Sequence, residues 1–219
     1  MPNHCTNNLS CTSGKNIGEV IKPYISERKE DNYNASHLDF NKIIPMPKCI
    51  LESLEFGNID YITSKRTEEE QEIENKKKEE IADRCMKETG HADWYNWCVA
   101  VWDTKWNSYN NVTLDDLGCD GRTIEDLDIL CFQTAWSPPI NVIRELSKLT
   151  GESLRMSYYD EGWMFGGVFE VSPEGGEVDQ CYDDINDCPE DLKEELDVQY
   201  YLDCMNEDDE DEEEEEEVV

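Results

Sequence analysis

No run of apolar side chains in these 219 residues approaches the roughly 20 needed to span a bilayer, so nothing here reads as a membrane helix. The amino end, Met1-Pro2-Asn3-His4-Cys5, has no charged stretch followed by an apolar one, and the expectation is a cytoplasmic protein without an export signal. Basic side chains are scarce. Lys and Arg number 19 against 53 Asp and Glu, a net charge of -34 and an isoelectric point near 4.1. Such a chain repels phosphate backbones and anionic membranes unless a metal or a segregated basic face intervenes, and it favours basic partners. Histidine is scarce as well, at three residues. H-E-x-x-H, nucleophile-elbow and phosphate-loop motifs are missing, so nucleophilic or metal-assisted catalysis has no anchor. Ten cysteines are present but dispersed, with no C-x-x-C pair, and most of them read as reduced, buried thiols.

What is there is clearest from Asp128 to Val171. Ile129 to Ala135 is a short strand-favouring run, and Ser137-Pro138-Pro139 supplies a cap and prolines where a first helical turn needs no N–H donor. Ile140, Ile143, Leu146 and Leu149 form an apolar stripe, and Gly151 stands where a left-handed residue ends a helix. Leu154, Met156 and Tyr158 alternate as one strand face, Asp160-Glu161-Gly162 turns, and Trp163, Phe165, Phe169 and Val171 form a further strand. Residues 129–135, 154–159 and 163–171 are therefore expected in one antiparallel sheet, with the helix from about Pro138 to Thr150 packed on it.

Upstream, Leu9 and Cys11 suit a first strand, and Ile17, Val20, Ile21, Tyr24 and Ile25 a helix shortened by Pro23. Ser26 to His37 reads as a polar loop, and Asp39 to Pro47 as an extended segment across the core whose prolines exclude helix. Cys49 to Ile62 is weakly helical. Ser64 to Lys87 is a charged, mostly solvated helix with Thr67 and Glu70 as a capping box, and Gly90 can end it. Asp93 then caps a helix bearing Trp94, Trp97, Cys98, Val101 and Trp102. Trp106, Asn107 and Tyr109 look extended, and Asp115 to Asp126 is an acidic loop.

Beyond Pro173 the composition changes. Residues 174–217 hold 23 acidic side chains against Lys193 alone, a net of -22 within the chain's -34. Pro189 to Met205 reads as a helix with Leu192, Leu196, Tyr200 and Leu202 packing weakly, and Glu207 to Glu217 as an acidic run too charged to bury itself and therefore disordered. The domain division expected is 1–173, with a helical insertion at about 49–103, then an acidic extension at 174–206 and a disordered tail at 207–219. Closely spaced carboxylates can imitate a phosphate backbone and steer toward a basic groove. Asp183, Asp184, Asp187, Glu190, Asp191, Glu194, Glu195, Glu207, Asp208, Asp209, Glu210 and Asp211 are the candidate partner-binding residues, and a solubilising segment is the competing reading.

Several pieces together resemble the YubB-type ferredoxin-like domain family of phage and plasmid proteins. They are Met1-Pro2-Asn3 with Cys5, Asp39-Phe40 with Lys42-Ile43-Ile44-Pro45-Met46-Pro47, Trp102 with Thr104-Lys105-Trp106-Asn107, Thr134-Ala135-Trp136-Ser137-Pro138-Pro139, and Tyr158-Tyr159 with Glu161-Gly162. His4 stands where the family usually has tryptophan and Asp103 where it usually has glycine. The resemblance implies an α+β, ferredoxin-like sandwich, strand-helix-strand-strand-helix-strand, with helices on one face of an antiparallel sheet. It also implies a mobile-element protein acting inside a bacterial cell, and brings no catalytic residues.

The expected function is a non-enzymatic interaction protein that binds and inhibits a basic host factor, a nucleic-acid-handling or defence protein, by acidic nucleic-acid mimicry. No cofactor is expected. The alternatives are a metal-dependent enzyme on nucleotides or nucleic acid and a single-strand-binding module. The module needs aromatics exposed on the sheet, set against the reading of Trp94, Trp97 and Trp102 as core. Metal candidates are Asp116, Asp120, Gly121 and Glu125 for calcium, and His4 with Cys5 and Cys11, or Cys85 with His91, for zinc, set against acidic turns and structural thiols.

Overall fold

The computed structural model describes residues 3–29, 34–59, 67–111, 123–162 and 165–198. Strand β1 (His4–Cys11) is an interior strand of a five-stranded antiparallel sheet, flanked by β4 (Leu130–Ala135) and β5 (Leu154–Asp160), with β6 (Gly166–Val171) and β7 (Glu177–Tyr182) beyond β5. Both β4 and β5 run antiparallel to β1, so they are parallel to each other, and helix α6 (Ile140–Thr150) crosses between them. On the far side of β4, Tyr109 makes a single antiparallel bridge to Gln133. That bridge occupies the place of the second strand in a strand-helix-strand-strand-helix-strand order, so the expected ferredoxin-like α+β architecture is present with one strand reduced to a single pair.

Alternation along β1 decides which face is buried. Cys5, Asn7, Leu9 and Cys11 are buried while their neighbours are half-exposed, and Phe132, Met156 and Phe169 join them on that face. Val142, Ile143 and Leu146 of α6 pack there, together with α1 (Ile17–Ile21), α2 (Phe40–Ile43) and Trp102. Asn7 is wholly buried among them, and its Nδ2 donates to Cys5 O, Phe132 O and Thr134 Oγ1, which removes the penalty of an unpaired amide.

Helices α3 (Lys48–Ile59), α4 (Glu68–Thr89) and α5 (Trp94–Trp102) form the charged insertion. The Thr67–Glu70 capping box is present, Gly90 closes α4 at φ 80°, and Asp93 caps α5. Two expectations need correction here. The segment expected as a polar loop over 26–37 holds two strands: β2 (Ile25–Lys29) and β3 (Asn34–Leu38) pair as a ribbon whose sequences lack the apolar alternation that reveals a strand. Phe40–Ile43 is a helical turn, because Asp39 caps it and Pro45 and Pro47 fall after it.

A third correction concerns the start of α6. Ser137 is not its cap; its hydroxyl donates to the Asp103 carbonyl, and Pro139 takes the N-cap position without a side-chain acceptor. The acceptor comes from elsewhere in the chain. Asp103, at φ 63° in the left-handed region, takes the Asn141 N–H at 2.7 Å and the Asn141 side-chain amide at 2.8 Å. This explains locally why glycine suits the position and what the aspartate adds.

Candidate interaction surface

The sheet runs on past Pro173, where composition had suggested a boundary. Ser172–Gly176 closes a tight hairpin, and β7 pairs with β6 along its full length. Sequence reasoning missed β7 because all its residues but the half-buried Tyr182 are exposed, so no apolar face marks it. The helix expected over 189–205 is α7 (Glu190–Leu196), ended by Asp197 at φ 55°; Tyr200 and Leu202 lie outside the described residues.

Helix α7 covers part of the sheet face opposite the main core. Leu192 and Leu196 are buried with Val168, Ile185, Cys188 and Val198, against the half-buried Tyr159 and Tyr182, so they pack tightly. Two adjacent glycines make room on the two faces. A Cβ on Gly166 would come 2.4 Å from Ile185, and one on Gly167 would come 2.6 Å from the Tyr158 hydroxyl.

Arg155 fixes α7 to the sheet. Its guanidinium donates to the two Glu195 oxygens at 2.5 and 2.7 Å, and its Nε lies 3.3 Å from Glu170. Burial, the largest influence, pushes the Glu195 carboxyl up, but the hydrogen bonds it accepts, chiefly from Arg155, together with the Arg155 charge hold it below the ordinary range. Glu195 is therefore a strut. Of the other candidates, Asp184 accepts from the Asn186 N–H at 2.8 Å and Glu190 meets Lys193 at 3.0 Å. Asp183, Asp187, Asp191 and Glu194 are exposed and have no ion pair among the described residues. Glu207, Asp208, Asp209, Glu210 and Asp211 lie outside the described residues, so the structure brings together only the candidates from 183 to 195. The result is an acidic rim over an apolar seal.

The tryptophan stripe divides. Trp97 and Trp102 are buried, and the Trp102 indole donates to Ile44 O. Trp136 is 40% exposed at φ 75°. With Tyr95 and Trp106 it surrounds Lys105, whose ammonium lies 4.6 Å from each indole centroid. This cluster was not foreseen; Lys105 between Trp102 and Trp106 in sequence was its signal. On the sheet face opposite the core, Thr6 and Asn8 of β1 pair with Tyr159 and Ser157 of β5, and Tyr159, the aromatic among these four, is half-buried against the α7 cluster.

The zinc candidates separate: His4 points away from the core and meets the Tyr109 hydroxyl at 2.6 Å, whereas Cys5 and Cys11 face inward. Cys85 is buried beside Cys49. Of the calcium candidates, Glu125 pairs with Lys22, and Asp116, Asp120 and Gly121 lie outside the described residues. Among the described residues no three His, Cys, Asp or Glu side chains are placed to hold a metal ion. Eight cysteines are described and all are free thiols. Burial raises Cys98 to about 12 and Cys188 to about 11, which leaves both unreactive near neutrality. No described helix is long and apolar enough to cross a membrane.

Comparison with known proteins matches residues 101–219 to the family described as the ferredoxin-like domain in Api92-like protein. No curated protein and no solved structure matches the chain. The match begins at the end of α5 and takes in the Asp103 turn, the Tyr109 bridge, β4, α6 and β5 to α7, while β1, the strand that joins β4 to β5, comes from the preceding segment. The chain belongs to the family of the ferredoxin-like domain in Api92-like proteins.

Proposed function

We propose that this is a non-enzymatic interaction protein of the YubB-type group, carried by a phage or related element and acting in the bacterial cytoplasm, which binds and inhibits a basic host factor. The observation that supports the reading most is the division of labour on α7 and the segment before it: apolar side chains inward and, outward, carboxylates without an ion pair among the described residues. Asp183, Asp187, Asp191 and Glu194 project from a frame held by Leu192, Leu196 and the Arg155–Glu195 fork. Carboxylates on a rigid frame present charge at fixed spacing, so a partner that normally grips a phosphate backbone meets a surface competing for the same groove. The partner class that fits is a nucleic-acid-handling or defence protein with a basic surface.

Co-purification from a bacterial lysate tests the reading when wild type is compared with a variant carrying Asp183→Asn, Asp187→Asn, Asp191→Asn and Glu194→Gln. The expected result is a basic nucleic-acid-binding protein retained by wild type at low salt and lost from the variant, whose DNA binding is blocked by wild type alone. Equal capture by both proteins, or capture that leaves DNA binding unaffected, refutes it.

A further inference from the structure

We infer that the outer edge of β7 is a docking track on which an extended, basic segment of a partner protein adds as a sixth strand; this rests on the acidic-surface reading above. The two ends of the sheet are unlike. At β4 the edge is occupied by the Tyr109 bridge, whereas at β7 no strand pairs with the outer side among the described residues.

The hairpin fixes the phase of the free groups. Ser172 N–H donates to Gly176 O at 2.8 Å, so residues 172 and 176 form a hydrogen-bonded pair. Pairs alternate along an antiparallel ladder, which assigns the inward hydrogen bonds to Val178, Gln180 and Tyr182 and turns the N–H and C=O of Glu177, Asp179 and Cys181 outward. Three donors and three acceptors thus stand in a row on a strand whose Val178 side chain is 48% exposed. The strand is held firmly in place. Glu177 is bound by Arg144 of α6, whose guanidinium also lies over Phe169, so an arriving segment meets a pre-formed edge.

Charge selects the occupant. Asp179 on the strand and Asp183 and Asp184 just after it are exposed, so a segment with lysine or arginine opposite them is attracted. A second copy of this chain is disfavoured, because antiparallel pairing centred on Asp179 sets that carboxylate against its own counterpart. Acid on an edge strand is a known guard against self-association, and here the same acid leaves the edge open to a partner of opposite charge.

The test uses the full chain and a short peptide alternating valine and lysine, alongside the same peptide fully N-methylated, which keeps the charge and loses the strand donors. Hydrogen exchange is read at Glu177, Asp179 and Cys181. The unmodified peptide should slow exchange there by about tenfold or more, and the methylated one should not. Asp179→Asn should weaken binding a few-fold, whereas Asp179→Pro, which removes an outward N–H, should weaken it by about tenfold or more. If the proline variant loses the fold by circular dichroism, the peptide pair on wild type decides alone. Equal, salt-sensitive binding of both peptides overturns strand addition and leaves the acidic-surface reading standing, while binding of neither at low salt removes both. Slow exchange without peptide also overturns the inference: with a dimer in sedimentation the occupant is a second copy, and in a monomer it is another segment of this chain.

Discussion

Asp103 is the position where replacing one side chain separates backbone strain from hydrogen bonding. It sits at φ 63° and caps α6 across a gap in sequence through two hydrogen bonds from Asn141, at 2.7 and 2.8 Å. Removing a side-chain cap costs about 1 kcal/mol and up to about 2. Asp103→Ala loses the cap and keeps a Cβ in the left-handed region, so it should destabilise by about 1–2 kcal/mol. Asp103→Gly loses the same cap but relieves about 1 kcal/mol of left-handed strain, and should fall between wild type and alanine. Asn tolerates that backbone region and keeps an acceptor for the Asn141 N–H, so Asp103→Asn should be mildest. Burial raises the Asp103 carboxyl, opposed by the Asn141 N–H and Arg144. A raised acid contributes stability that is full below its unfolded value and lost as pH rises through its folded value, so wild type should gain on Asp103→Asn as pH falls toward 4. Urea denaturation followed by tryptophan emission, with Trp97 and Trp102 as buried reporters, measures the order. At a slope of about 2 kcal/mol per molar urea, 1 kcal/mol moves the midpoint by about 0.5 M. Glycine no better than alanine would falsify the assignment of strain to this residue.

Other expectations can be checked alongside. The fragment 101–219, which is the family match without β1, should fail to fold alone and recover ordered structure when a peptide of residues 1–16 is added, as judged by near-ultraviolet circular dichroism; independent folding of the fragment refutes the central role of β1. Burial raises Asp39, but hydrogen bonds from Ser26, Asn107 and the Asn41 N–H outweigh it and leave it lowered, like Glu195. A lowered carboxyl gives stability that is present above its unfolded value and lost as pH falls through its folded value, so Asp39→Asn should flatten the acid limb of stability below about pH 4. Leu146→Ala, at a fully buried position on α6, should cost about 2–5 kcal/mol. Intact mass with and without reductant should agree, and native alkylation should reach the exposed Cys181 well before the buried thiols. Deleting 207–217 should slow association with a basic partner and flatten its salt dependence while leaving thermal melting unchanged; an unchanged rate at low salt confines steering to the folded body.

Legibility followed burial. The stretch 129–171 could be read because alternation and an apolar helix stripe record which side chains face the core, and the structure places Phe132, Ile143, Leu146, Met156 and Phe169 there. The capping box at Thr67 and the left-handed glycines 90 and 151 depend on local geometry alone, and they too were legible. Elements defined mainly by backbone pairing were not: the β2–β3 ribbon is polar in sequence and β7 has all its residues but Tyr182 exposed, so their sequences match those of polar loops. The Asp103 cap was hidden because the acceptor lies 38 residues from its donor. On the candidate surface, the sequence located the acid but could not sort it, since only the fold distinguishes Glu195, held by Arg155, from Glu194, which is free to meet a partner.

That sorting bears on how such a surface can change. The apolar contacts securing α7 involve Leu192, Leu196 and Val168, and the edge of β7 is set by main-chain pairing with β6. Neither uses the carboxylates of Asp183, Asp187 or Glu194, whereas the charges of Asp179 and Asp191 act on Arg144 and Arg155. Exposed substitutions away from caps and ion pairs are worth about 0.5 kcal/mol or less, whereas rim charges alter association rate and salt dependence directly. Charge on this side of the molecule can therefore be exchanged almost independently of stability, provided Arg155, Glu195, Arg144 and Glu177 are kept. A variant carrying lysine at Asp183, Asp187 and Glu194 should melt within a few degrees of wild type and reverse its preference between a lysine-rich and a glutamate-rich peptide. If it unfolds instead, these carboxylates support the fold, and the separation of frame from surface is wrong.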